Sequence, residues 1–145
     1  MSQKWIGDRE KRRQDLISDM KTIIAGSRSI KDLKVLEKAI QVQRMSGLGN
    51  ITEVVCGCAT GVDFLGQLWA KANNIPIKQF PADWNKHGRG AGFIRNIEMA
   101  KYADVLLAIW DGESKGTQHM IRTATAQGLE VHVFKLGEDN QLSFL

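Results

Sequence analysis

The chain is short of the residues that metal, disulfide or membrane chemistry would need. It has two cysteines and three histidines in 145 residues. Cys56 and Cys58 stand two apart with no second pair, while His87, His119 and His132 are scattered. A zinc site needs more ligands at closer spacing, so no metal is expected. A bridge between Cys56 and Cys58 would strain a short loop, which leaves them as small residues suited to packing and turn geometry. No apolar run approaches the roughly 20 residues of a membrane helix, and the charged N-terminal stretch lacks the apolar core of a signal peptide. The expectation is a cytoplasmic protein with no membrane partner. Few aromatics are interleaved with the basic residues, and the net charge of +4 is mild. Nucleic acid is therefore an unlikely partner, tolerated by the charge but not demanded by it.

Two familiar nucleotide motifs are also missing. A P-loop needs glycine, lysine and then Ser/Thr, whereas Gly112–Thr117 reads GESKGT, with Lys115 before its glycine. The dinucleotide fingerprint G-x-G-x-x-G does not follow the first expected strand, where GSRS stands instead. The two motifs are excluded, so a conventional kinase, GTPase or NAD enzyme is not expected, nor is a cofactor.

What is present is organised around Val54–Asp63, VVCGCATGVD. β-formers break into a turn at Gly57 and Gly61 and then into a helical pattern, Phe64, Leu65, Leu68, Trp69 and Ala72. A strand that ends in a Gly-rich turn and feeds a helix aims backbone N–H groups, and the positive end of the helix dipole, at an anion above the sheet edge. The same design recurs along the chain. Lys21–Arg28 reads as a buried first strand broken by Gly26 and Ser27, with Ser29 as the expected N-cap of a helix through Leu33, Leu36, Ala39 and Ile40. Ile75–Phe80 is a third strand, and the polar, Gly-rich connection Pro81–Gly92 is long enough to suggest function. A helix over Ile94–Tyr102 leads to Asp104–Trp110, the clearest buried strand, which runs into a second Gly-rich turn at Asp111–Thr117. A helix ended by Gly128 and a fifth strand, Leu129–Phe134, complete the pattern.

Alternating continuous apolar strands and amphipathic helices predict a parallel sheet covered on both faces. The fold class is α/β: a Rossmann-like, doubly wound sheet of about five parallel strands in three α/β/α layers. The strand order 3-2-1-4-5 puts the first and fourth strands together at the switch point, where ligands bind. The four loops Gly26–Ser29, Gly57–Gly61, Pro81–Gly92 and Asp111–Thr117 then share one edge. Residues 1–20 read as a helical extension or arm, 21–135 as the domain and 136–145 as a tail with little pattern.

The stretches IIAGSR, VVCGCATGVDFLGQLWAKANNIPIKQFPADW, HGRGAGFIRNIEM and ADVLLAIWDGESKGTQHMIRTA resemble the YspA/cpYpsA-related branch of the SLOG superfamily. That superfamily includes the Lonely Guy phosphoribohydrolases and DNA-processing protein A. The resemblance spans roughly residues 21–134 and implies a Rossmann-like fold, found in bacteria and phages, that senses or processes nucleotides. It implies a first loop of Gly26, Ser27 and Arg28 and a second of Gly57, Thr60, Gly61 and Asp63. Gly92, Arg95 and Asn96 match an AGxxRN signature, and Gly112, Ser114, Lys115, Gly116 and Thr117 match a phosphate-cradling GxSxGT turn. Lonely Guy enzymes carry a catalytic glutamate within three residues of that GT pair, where this chain has Gln118, His119 and Met120. Binding of a nucleotide or nucleotide-derived signal is thus implied more firmly than its hydrolysis. Arg95, Asp63 and Asp111 remain the catalytic candidates of the enzyme alternative, and a single-stranded DNA binder is a third reading. A homo-oligomer is left open.

Overall fold

β1 (Lys21–Gly26) is the axis of the molecule, with Thr22–Ala25 buried throughout. The computed structural model describes residues 20–139 and 141–144. After β1 come α1 (Leu33–Met45), β2 (Glu53–Cys56), α2 (Val62–Ala72) and β3 (Ile77–Gln79). The single turn α3 (Trp84–His87) and a 3-10 turn (Gly88–Gly90) lead into α4 (Ala91–Tyr102) and β4 (Val105–Trp110). α5 (Lys115–Ala126), β5 (Glu130–Leu136) and β6 (Leu142–Phe144) follow.

The sheet order is β3-β2-β1-β4-β5-β6, with the first five strands parallel as the alternation predicts and β6 antiparallel to β5. Strand residues point alternately to the two faces, and the core divides accordingly. Ile24, Val54, Val105, Leu107 and Ile109 pack with Leu36, Ala39 and Ile40 of α1 and with Val62, Leu65 and Trp69 of α2. Ile23, Ala25, Val55, Leu106 and Ala108 pack with Met99 and Ala100 of α4 and with Met120 and Ala124 of α5. The two helix pairs lie on opposite faces because the chain reverses its winding between β1 and β4. That reversal opens a crevice at their C-terminal ends.

Three local expectations are corrected. The N-cap of α1 is Asp32, not Ser29: its Oδ1 accepts from Lys34 N–H at 3.0 Å, and the helix begins only at Leu33. A carboxylate there also complements the helix dipole. The connection Pro81–Gly92 is largely helical, because Asp83 caps α3 through Lys86 N–H at 3.1 Å and Gly88 turns the chain at φ +58°. The tail beyond 136 carries a strand: Leu142–Phe144 pairs with Phe134–Leu136, and Phe144 packs on Phe134 with ring centroids 4.8 Å apart. The arm expected over 1–20 lies outside the described residues apart from Met20, which packs against the α1/α2 side of the core.

Candidate functional site

Gly26, at the last position of β1, shows how tightly the switch point closes. A Cβ there would lie 2.1 Å from the carbonyl oxygen of Ile109 and 2.7 Å from Cγ2 of Val62. Only glycine lets β1, β4 and the start of α2 meet at this point. Ser27, next along, is 1% exposed and ties the two central loops together. Its N–H donates to the Ile109 carbonyl at 3.1 Å, and its Oγ accepts from Asp111 N–H at 3.0 Å.

Above this junction lies a cavity of about 470 Å³, within the size range of small-molecule sites. Arg28 and Ser29 wall it from the β1 loop, and Ala59 and Asp63 from the β2 loop and α2. Trp84, Arg89, Gly92, Phe93, Arg95 and Asn96 come from the α3–α4 side, and Asp111, Ser114, Gly116 and Thr117 from the β4 loop and α5. Three helices, α2, α4 and α5, start at this cavity. The first N–H of α2 donates to the Ser27 carbonyl at 3.4 Å, that of α4 to the Gly88 carbonyl, and Thr117 N–H of α5 to Ser114 Oγ at 3.3 Å. The pull on an anion therefore comes from the helix dipoles and the remaining first-turn groups.

Arg95 is held in place by its neighbours. Its Nη1 donates to the carbonyl of Gly57, and its Nε donates to Oδ1 of Asn96 at 3.1 Å. A Cβ at position 57 would come within 2.7 Å of Arg95 Nη1 and 2.8 Å of Asp63 Oδ2, so a side chain there would displace one or both. Both charged groups therefore crowd the same point, yet Asp63 and Arg95 form no direct ion pair among the described residues. Asp63 is 6% exposed at the head of α2, accepting from Ala59 N–H at 3.4 Å. Burial pushes its carboxyl up from 3.8 to about 6, against the pull of Arg95, of the Ala59 and Gly26 N–H groups and of Arg28. Asp111 goes the other way. Burial raises it, but N–H donation from Ser114 and Glu113, both at 2.8 Å to Oδ1, holds its carboxyl below the usual range. A carboxylate bound in that way makes a turn and is a poor proton acceptor.

The expected site residues divide into those that reach the cavity and those that shape it. Gly26, Arg28, Asp63, Gly92, Arg95, Asn96, Asp111, Ser114, Gly116 and Thr117 line it. Ser27 and Gly57 lie behind the wall. Gly112, at φ +87°, turns the chain beside the Lys135 side chain. Thr60 and Gly61 open instead onto a separate hollow with Phe64 and Leu68. Gly61, at φ +75°, packs on the backbone of Ser27 and Arg28. Lys115 is exposed and is not part of the wall. The expected functional stretch Pro81–Gly92 contains Trp84 and Arg89 without singling them out, and Phe93 falls between it and the helix expected from Ile94. A tryptophan in a polar, Gly-rich connection is the signal that points to this wall. Cys56 is buried and Cys58 exposed, both unbridged, with the Cys56 Sγ accepting from Cys58 N–H at 3.0 Å. Burial pushes the Cys56 thiol up to about 12, so it stays protonated.

A doubly wound α/β sheet with a polar, arginine-lined cavity at its switch point is the class that this fold and site define. The chain belongs to the YspA, cpYpsA-related SLOG family, which matches residues 20–87. It is 37% identical over 118 residues to the gene 61 protein of Mycobacterium phage D29, an alignment covering 77% of this chain and 93% of the phage protein. Among solved structures, DNA processing protein A from Streptococcus pneumoniae shares the fold, with a TM-score of 0.59 at 16% identity. That match covers 82% of this chain and 51% of the other, so this chain spans about half its length. No helix among the described residues is long and apolar enough to cross a membrane.

Proposed function

We propose that the chain binds a nucleotide or nucleotide-derived ligand in this cavity, as a sensor or sequestering module. The observation that carries the reading is the convergence of Arg28, Arg89 and Arg95 with the starts of α2, α4 and α5 around one cavity. Phosphate is the anion best matched to guanidinium groups and helix N-termini together. Membership of a SLOG family supports the same chemistry. We take the chain to act in the cytoplasm, where nucleotide pools are kept.

We read the site as holding its ligand without cleaving it. Asp111 is engaged by the N–H groups of its own turn. Gln118, His119 and Met120 fill the places where the resembling phosphoribohydrolases carry a glutamate. Asp63 is the remaining carboxyl at the cavity with a proton affinity near neutrality, and it keeps the hydrolase alternative testable. Chromatography of AMP incubated with the protein should show no free base. Multiple turnovers that vanish in Arg95→Ala would replace the binding reading with the enzymatic one.

Native mass spectrometry of the purified protein should find a co-purified nucleotide-sized ligand. Calorimetry on Arg95→Ala supplies the second test. Losing one charge-assisted pair contributes roughly 1.5–3 kcal/mol, so the variant should bind about one to two decades more weakly. If melting temperature falls and affinity is unchanged, Arg95 only braces the Gly57 loop and the phosphate reading fails at that residue.

A further inference from the structure

The α3–α4 wall of the cavity carries two large aromatic rings open to solvent. Trp84 is 54% exposed and Phe93 47%. Single exposed apolar side chains are common on any protein surface and need no explanation. These two differ in lining the same cavity, and Phe93 differs again in being held still.

Phe93 stacks on His119 with ring centroids 4.1 Å apart and planes 17° from parallel. His119 is fixed in turn by Asn96. The Oδ1 of that amide accepts from Arg95 Nε at 3.1 Å, so its Nδ2 is the end that faces His119. Nδ2 lies 3.1 Å from Nδ1 of His119 and donates to the Gly116 carbonyl at 3.4 Å. An amide nitrogen only donates, so Nδ1 of His119 accepts and the imidazole carries its proton on Nε2. That nitrogen stands 3.4 Å from Thr123 Oγ1. Burial, and then Arg122, hold His119 below its ordinary range, which keeps the ring neutral in the stack. Phe93 is thus tied through His119 and Asn96 to the first turn of α5, where an anion is favoured. Its outer face is a rigid apolar platform at a fixed distance from that turn. A Cβ at Gly92 would stand in ordinary contact with this wall, 3.5 Å from Cη2 of Trp84 and 3.7 Å from Arg95 Nη2.

We propose that this wall is a base-stacking subsite, with Phe93 the platform for a planar heteroaromatic ring and Trp84 its second apolar contact. The assignment rests on the nucleotide reading and deepens it. The preferred ligand carries a nucleobase as well as a phosphate, and the base lies on the α4 side while the phosphate faces α5. Stacking tolerates any base, because every base has a π-face. The subsite therefore selects for the presence of a base, with larger rings gaining more.

Calorimetry on the full chain with AMP, CMP and ribose 5-phosphate tests it, using wild type, Phe93→Ala and Phe93→Leu. Leucine keeps apolar bulk against His119 and removes the ring face, so the result does not depend on the alanine variant folding. Wild type should bind AMP at least about fivefold more tightly than ribose 5-phosphate, the low end of what one stacked base contributes. Both variants should lose most of that preference and leave ribose 5-phosphate affinity unchanged. Equal affinity of wild type for AMP and ribose 5-phosphate overturns the subsite alone. So does an equal loss for both probes in Phe93→Leu. If wild type binds none of the three, the nucleotide reading falls, and the subsite with it.

Discussion

Asp63 has the most strained charge in the cavity wall, and its position explains why. Its backbone must start α2, and its side chain is covered there by the turn at Gly57 and by Arg95. Burial disfavours the ionised form more than Arg95 and the N–H donors favour it, which leaves the carboxyl at about 6. The folded protein therefore holds this proton to higher pH than the unfolded chain does. The resulting stabilisation is complete below about pH 4 and is lost as pH rises through about 6. A shift of that size corresponds to roughly 3 kcal/mol of differential stability, at about 1.4 kcal/mol for each pKa unit. Asp63→Asn keeps the shape and an acceptor for the Ala59 N–H but removes the titration. Its stability relative to wild type should rise by up to that amount between pH 4 and pH 7 in urea unfolding. Parallel curves for the two proteins across that range would mean that Asp63 is not desolvated in solution.

At the scale of elements, the glycines of the loops do different work although the sequence writes them alike. Gly61 sits at φ +75°, and a Cβ there would come within 2.5 Å of the Arg28 Cα. Gly61→Val should disrupt the junction of β1 with α2 and lower the melting temperature sharply, whatever the cavity binds. Gly116 has no atom within 4 Å of where a Cβ would stand, and it lines the cavity at the first turn of α5. Gly116→Val should leave far-UV dichroism and melting close to wild type while blocking the anion position. A helix-propensity change contributes less than about 1 kcal/mol. Undiminished ligand binding in this variant would show that the start of α5 is not the phosphate cradle. This contrast also marks how far the sequence can be read. The parallel sheet was legible because Ile23–Ala25 and Val105–Ile109 are continuous apolar runs suited to a sheet covered on both faces, and the strand order followed from placing β1 and β4 together at the switch point. The loops at the cavity were legible because glycine and serine interrupt those runs. Direction was not: spacing says that Thr60, Gly61 and Lys115 lie near the sheet edge, and only the folded backbone shows Thr60 and Gly61 opening onto a separate hollow and Lys115 exposed outside the cavity wall. β6 escaped because three residues are too few for a period-two pattern. Phe93 escaped because it falls between the polar connection ending at Gly92 and the helix expected from Ile94, and neither pattern reveals its exposure.

For the whole molecule, the question is whether the basic groups serve one small ligand or a long polyanion. The chain carries 20 basic and 16 acidic residues, a surplus of four. That surplus is small for a protein steered onto nucleic acid by its net charge. Arg28, Arg89 and Arg95 instead gather at a single concave site. Binding to single strands loses affinity with a log–log salt slope of about −0.7 for each phosphate neutralised. A mononucleotide with one phosphate in the cavity should therefore show a slope no steeper than the roughly −0.7 of a single phosphate contact. An oligothymidine laid along the surface over six phosphates would show about −4 and would bind far more weakly above 0.2 M salt. Calorimetric titrations of AMP and of a ten-residue oligothymidine between 0.05 and 0.3 M salt, with concentrations set at about a threefold spacing around the apparent Kd, separate these outcomes. We expect the shallow slope for AMP and an oligothymidine affinity no greater than that of a single nucleotide. Tighter binding of the oligothymidine, with the steep slope, would move the site from a nucleotide cavity to a nucleic-acid surface. It would also assign the exposed rings of Trp84 and Phe93 to successive bases of one strand.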